Sequence, residues 1–213
     1  MKKASKKDQI IADVIPVFVE LGYSNATMRL IASRLDMNLS LITYYFDTKE
    51  KLYTSCVDKS MSTLMDFIEV RLLEPAKEVT DKQQAEEILL QSIVQYTIKA
   101  LTDKTFRDYT KLLDRSLIEY DAIVNNVTSD YLEPVYSTLS KLLNFISQRQ
   151  RSDRELFLQV YSLVGLATIF IRDYPFVFKG DCSGSISESD QQIVEQVISS
   201  HLKVLISTIS SGI

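Results

Sequence analysis

Apolar residues recur at three- and four-residue spacing along most of the chain, and each run predicts a helix with one buried side. Ile10, Ile11, Val14, Ile15, Phe18 and Leu21 form the first stripe, over residues 8–21. Ser5 and Asp8 have capping-box spacing at its start, with Asp in place of the usual Glu or Gln. Pro16 lies inside the stripe, where a lost hydrogen bond predicts a kink, and Gly22 is placed to end the helix in a left-handed conformation. A second, short helix carries Leu30, Ile31 and Leu35, with Thr27 as its N-cap and Asn25 as a rival. Asp36-Met37-Asn38 breaks the pattern as a turn, and Asn38 can cap a third helix. That helix groups Ile42, Tyr45 and Phe46 on one side, with Ser40 and Tyr44 at the centre of the other, flanked by Leu41 and Thr43.

Longer helices follow. Asp47-Thr48-Lys49-Glu50 reads as a capping box with Asp47 as the cap, opening a helix that extends to residue 73, before Pro75. It starts beside the short helices and enters the rest of the chain, as a mechanical link would. Further helices are predicted over 83–101 and 104–120. Asn125-Asn126 and Thr128-Ser129 mark a break, after which 130–148 forms a helix with Pro134 in its first turn. Two more cover 153–174 and 188–210, separated by a Ser/Gly-rich loop at 179–187. With five glycines and four prolines in 213 residues and almost no period-two alternation, the fold class is all-α. The chain divides into a three-helix head, 1–51, and a larger helical body, 52–213.

The outer side of the third helix gives the first functional clue. It presents apolar, hydroxyl and aromatic groups with no charge, which suits a surface that meets a partner. The helix-turn-helix spacing points to the major groove of double-stranded DNA. The charge distribution agrees: residues 1–51 carry net +2 within a chain of net −4. A basic end on an acidic body suits a DNA-reading head, although the tail lysines Lys2, Lys3, Lys6 and Lys7 can also be a solvated extension.

Residues 10–53 also resemble the N-terminal domain of TetR-like transcriptional repressors. The matching landmarks are Phe18 with Gly22, Thr27, Ile31-Ala32, Tyr45-Phe46, and Lys49-Glu50 with Leu52. The chain has Asp36-Met37-Asn38 where many members have Gly-Val-Ser, and Thr43 where many have tyrosine. Together the helical pattern and the resemblance assign DNA contact to Thr27, Arg29, Asn38, Leu39, Ser40, Leu41, Thr43, Tyr44 and Lys49. Arg29 and Lys49 lie in first turns, where a cation opposes the helix dipole and a phosphate would compensate.

The last two long helices are apolar over more than one stripe. A helix of that kind is either central in a core or shared with another chain. The resemblance implies sharing, because family members usually dimerise through their last two helices. The residues assigned to a homodimer contact are Phe157, Tyr161, Val164, Gly165, Val194, Val197, Ile198, His201 and Leu205.

Eleven tyrosines and nine phenylalanines without a tryptophan suggest a cavity for a small hydrophobic or aromatic effector, and the resemblance implies that a pocket exists. Its expected lining is Met61, Met65, Tyr96, Phe106, Tyr109, Tyr131, Phe170 and Tyr174. Catalysis finds no support: His201 is the sole histidine, no phosphate loop or nucleophile elbow occurs, and neither metal nor cofactor is expected. Cys56 and Cys182 form no framework, no stretch reads as a membrane span, and a cytoplasmic protein is expected. The resulting reading is a ligand-responsive DNA-binding regulator, a repressor that grips a palindromic operator as a homodimer. An all-α interaction module, or a helical carrier or enzyme keeping the motif only as packing, are the competing readings.

Overall fold

A computed structural model describes residues 5–118, 122–147, 151–178 and 185–211 of the chain. All regular structure among them is helical: α1 (Lys6–Asn25), α2 (Met28–Arg34), α3 (Leu39–Phe46), α4 (Lys49–Ile68), α5 (Glu74–Lys77), α6 (Lys82–Thr102), α7 (Lys104–Ile118), α8 (Ala122–Ile146), α9 (Asp153–Arg172), α10 (Tyr174–Val177) and α11 (Glu188–Ser211), with a π-helical turn, Glu69–Leu73, between α4 and α5. The helices form two compact units, one of Met1–Leu64 with Asp108–Ser129, the other of Met65–Arg107 with Asp130–Ile213. The first is thus larger than a head of 51 residues, because the first four turns of α4 and most of α7 pack into it.

In the first unit the stripe of α1 meets α2, α3 and the start of α4. Ile10, Val14, Ile15, Phe18, Ile31, Ile42 and Leu52 are fully buried. Tyr53 sits among them, 4.9 Å edge-on from Phe18 and 4.9 Å from Tyr23 between ring centres. From α7, the Arg115 guanidinium donates to the Val19 carbonyl at 3.1 Å.

Local chemistry fixes the helix ends. Ser5 and Asp8 form the full capping box, and Thr27 accepts the Leu30 amide at 3.2 Å. Helical geometry continues through Pro16; the interruption falls at Gly22, with φ 75° and ψ 169°. That pairing is nearly exclusive to glycine and differs from the expected left-handed cap. Asp36 occupies the left-handed turn position at φ 49°. Asp47 does not cap α4. It is the centre of a three-residue turn (φ 62°, ψ −58°), closed by the Thr48 amide donating to the Phe46 carbonyl at 2.6 Å. Thr48 takes the capping role and accepts the Lys51 amide at 3.2 Å.

The second unit is built on α6, which packs against both α9 and α11. Leu89, Leu101, Leu143, Val160 and Leu202 are among its most buried residues. Thr97 ties α6 to α9, donating to the carbonyls of Ile93 at 2.9 Å and Ala167 at 3.3 Å. The Arg151 side chain is wholly buried, yet its guanidinium pairs with Glu155 at 2.7 Å and donates to the Ile209 carbonyl at 2.9 Å. A buried charge needs partners of this kind, and here they bind the end of α11 to the start of α9.

Two expectations about helix bounds fail. The predicted break at 125–129 is absent: α8 starts at Ala122 and keeps Pro134 inside it. Asn, Thr and Ser disfavour helix only weakly, so two such pairs do not end it. The single long helix over 49–73 instead widens into the π turn. Pro75 explains this, because it lacks an N–H and its ring presses on the carbonyl four residues back, that of Arg71.

Candidate functional site

Caps and core contacts on its inner side orient α3. Ile42 and Phe46 are buried, while Ser40, Thr43 and Tyr44 stand outward, and Leu39 and Leu41 are half-buried at the margins. Tyr44 is 81% exposed, the largest exposure of any large hydrophobic side chain among the described residues of the first unit. Its ring leans edge-on against Tyr45 at 5.2 Å, which restrains an otherwise bare side chain. Asn38 is committed to capping, accepting the Ser40 amide at 2.8 Å. Arg29 is exposed beside the N-cap Thr27.

Lys49 is half-buried and held: its ammonium donates to the Tyr23 carbonyl at 2.9 Å and lies 4.2 Å above the Tyr23 ring. An ammonium has three donors, so this anchor leaves capacity for a second acceptor. The nine residues assigned to DNA therefore all lie in the first unit, on or beside α2, α3 and the start of α4.

The residues assigned to a dimer contact divide by helix face. On α9, Phe157, Tyr161 and Gly165 are exposed, and a side chain at Gly165 would meet open space. Val164 is half-buried and belongs to a cavity described below. On α11, Val197, His201 and Leu205 point outward. Val194 and Ile198 do not: they are buried within their own chain, on the stripe with Leu202, Ile206 and Ile209. The reason is packing: 194, 198 and 202 share the side of α11 that its own chain buries, while 197, 201 and 205, at the same spacing, share a bare side. Sequence reading missed the outward Leu158, Ile169, Ile193 and Val204, all exposed. By length and composition alone α9 resembles a membrane-crossing helix, with a mean hydropathy of 1.4 and 28% of that window buried, as a core helix of a globular body also does. Its uncharged run ends at Ile171 and contains Gln159, Ser162 and Thr168.

The second unit encloses a largely apolar cavity of about 140 Å³. Its wall consists of Phe67, Ile68, Arg71 and Leu72 from the end of α4 and the π turn, Ser92, Ile93 and Tyr96 from α6, Leu132, Val135, Tyr136 and Leu139 from α8, and Val164, Ala167 and Thr168 from α9. Of the eight side chains assigned to an effector, Tyr96 alone is in this wall. Phe106 stands behind it, 5.6 Å from Tyr96 and 5.2 Å from Phe67 between ring centres. Met61 and Tyr109 are buried in the first unit. Tyr174 covers the buried Arg107 guanidinium at 3.8 Å, and Met65, Tyr131 and Phe170 are half-buried away from the wall. Aromatic content alone could not separate core from cavity. Burial raises the Tyr136 hydroxyl above the ordinary tyrosine pKa, with Tyr161 adding to it, so Tyr136 remains a protonated donor. Cys56 is fully buried, which pushes its thiol pKa far up and leaves it unreactive. Among the described residues no cluster of His, Cys, Asp or Glu could hold a metal.

Comparison with known proteins places this geometry. Residues 10–56 match the family of bacterial regulatory proteins, tetR family. The HTH-type transcriptional dual regulator CecR of Shigella flexneri is 25% identical, over 99% of this chain and 95% of its own length. Among solved structures, the TetR family transcriptional regulator PfmR from Thermus thermophilus superposes with a TM-score of 0.67 at 13% identity, covering 96% of this chain and 97% of that one. AibR in complex with isovaleryl coenzyme A and operator DNA gives 0.63 at 17% identity, covering 91% and 96%. The capped helix-turn-helix of the first unit, over residues 10–56, is thus that of the bacterial regulatory proteins of the tetR family, and along its length the chain is similar to a relative that regulates transcription.

Proposed function

We propose that the protein is a ligand-responsive repressor that binds a palindromic operator as a homodimer in the cytoplasm. The carrying observation is the outer face of α3, where Tyr44 is 81% exposed among Ser40 and Thr43 with no charged neighbour on that face. Hydroxyls can meet the acceptors and donors of base edges, and an aromatic ring can meet thymine methyls. Arg29 and the anchored Lys49 supply the phosphate contacts.

The homodimer reading rests on the bare apolar sides of α9 and α11, which carry Phe157, Leu158, Tyr161, Val197 and Leu205. A second copy of the chain covers them, and dimer symmetry then requires an inverted repeat in the DNA. The effector reading rests on the cavity of the second unit. AibR is a fold relative whose structure holds both isovaleryl coenzyme A and operator DNA. For this chain, an effector releases DNA only if it binds the DNA-incompetent conformation more tightly than the competent one.

Fluorescence anisotropy with duplexes tiled across the region upstream of the gene tests the reading. One duplex with inverted half-sites should bind with steep salt dependence, and Tyr44→Ala should bind that duplex and a scrambled one about equally. A parent protein that prefers no duplex in the tiling overturns the proposal.

A further inference from the structure

Resting on the reading of this cavity as the effector site, we propose that the effector is an organic anion: an apolar body about the size of one aromatic ring, with an acidic group read by Arg71. The size follows from the volume. An engineered apolar cavity of about 150 Å³ in another protein binds benzene, and this one measures about 140 Å³. A drug-sized ligand needs roughly twice that space or more.

The charge follows from the wall. Arg71 is its only charged residue, and it is exposed, so it stands where the cavity opens to solvent. Its guanidinium lies 5.9 Å from the Phe67 ring centre, which holds the planar group at the rim. The acids beside it are occupied elsewhere: Glu74 pairs with Lys77 at 2.6 Å and Glu69 with the same Lys77 at 3.6 Å. Arg71 forms no ion pair among the described residues, so its fork of donors is available to a carboxylate or phosphate.

Two hydroxyls of the wall are spent on their own helices. Ser92 donates to the Leu89 carbonyl at 3.1 Å and Thr168 to the Gly165 carbonyl at 3.4 Å. The π turn is the second, independent feature. It lies within this wall, following Phe67 and Ile68 and containing Arg71 and Leu72, and such turns concentrate at functional sites.

The test is calorimetry on the full chain with benzoate, its neutral isostere benzamide, and benzoyl-coenzyme A. Benzoate should bind about tenfold tighter than benzamide, the usual range for one charge-assisted hydrogen-bonded contact. Arg71→Gln should abolish that preference while leaving benzamide unchanged, and Arg71→Lys should restore part of it. Tight, Arg71-dependent binding of the thioester in place of the acid identifies phosphate as the anion; the reverse identifies carboxylate. Equal affinity for acid and amide together with no Arg71-dependent binding of the thioester overturns the proposal and leaves the cavity reading standing. Val164→Phe, or the milder Thr168→Leu, fills the cavity and should remove all binding. If benzoate still binds both filled variants, the effector reading of the cavity falls, and the proposal falls with it.

Discussion

Tyr44 on α3 and Tyr161 on α9 are both largely bare, at 81% and 61% exposure, but they stand on faces of opposite character. Around Tyr44 the outward neighbours are Ser40 and Thr43, and the helix is capped by Asn38. Around Tyr161 they are Phe157 and Leu158, with stacked rings 6.1 Å apart between Tyr161 and Phe157. An exposed aromatic is therefore informative only through its company. Hydroxyl neighbours keep a face wettable and able to exchange water for base edges. Apolar neighbours make a dry patch that is stable only when covered.

The largest expected effect separates the two sides of α11. Leu205→Glu places an unpaired charge in the outward apolar patch and should cost the dimer roughly 3–5 kcal/mol, visible as monomer in sedimentation. Ile198→Ala, on the inward side, should leave the association state alone. Its cost is about 2–5 kcal/mol of folding stability, or a melting temperature lower by roughly 5–15 °C. If the two variants exchange these outcomes, the assignment of faces is wrong.

The next effect concerns the α3 face. Lys49→Ala should weaken operator and scrambled DNA alike and reduce the salt slope by about one, in contrast to the sequence-selective loss from Tyr44→Ala. A Lys49 that serves only Tyr23 would lower the melting temperature and leave the salt slope unchanged. Smaller again is Thr27→Ala, which removes the cap of α2 and should cost about 1 kcal/mol in a denaturant titration. Asp36→Gly goes the other way. Relief of the positive φ is partly offset by a more flexible unfolded chain, so a gain of under about 1 kcal/mol is expected.

The smallest effect is a titration. The Ser5 hydroxyl and amide donate to Asp8 and hold its carboxyl below the ordinary aspartate pKa. A depressed carboxyl stabilises the fold above its unfolded pKa, and this contribution disappears as pH falls through the lower folded value. NMR should find the Asp8 midpoint below that of a model peptide, and Ser5→Ala should return it toward normal. An unshifted midpoint in the parent would falsify the capping box.

The head was the legible part, because its signals are local. Thr27, Asn38 and the Ser5–Asp8 box act within one turn of the chain, and Ile42 and Phe46 fix the orientation of α3 by period alone. Asp47 misled because the spacing to Glu50 resembles a capping box, while a cap one residue later serves α4 equally well. The second unit was harder for a physical reason. On α9 and α11 both faces are apolar, so periodicity cannot tell Val194 and Ile198, which are core, from Val197 and Leu205, which are not. The cavity was least legible: most of its wall is Ile, Leu, Val and Ala contributed by four helices, chemically the same as packed core.

The wide turn at Glu69–Leu73 is a place where the chain can lose a residue without changing the face it shows. Deleting one residue there, for example Val70, would return the segment to ordinary winding and leave its two flanks nearly in phase, because a π turn is one extra residue absorbed into an α-helix. Phe67 would then be three residues from Arg71 and four from Leu72, with Ile68 three from Leu72, so the pairs would still share a side. The same deletion in the regular part of α4 would instead turn every following side chain by about 100°. A single-codon deletion should therefore be tolerated at the turn and disruptive a few residues before it.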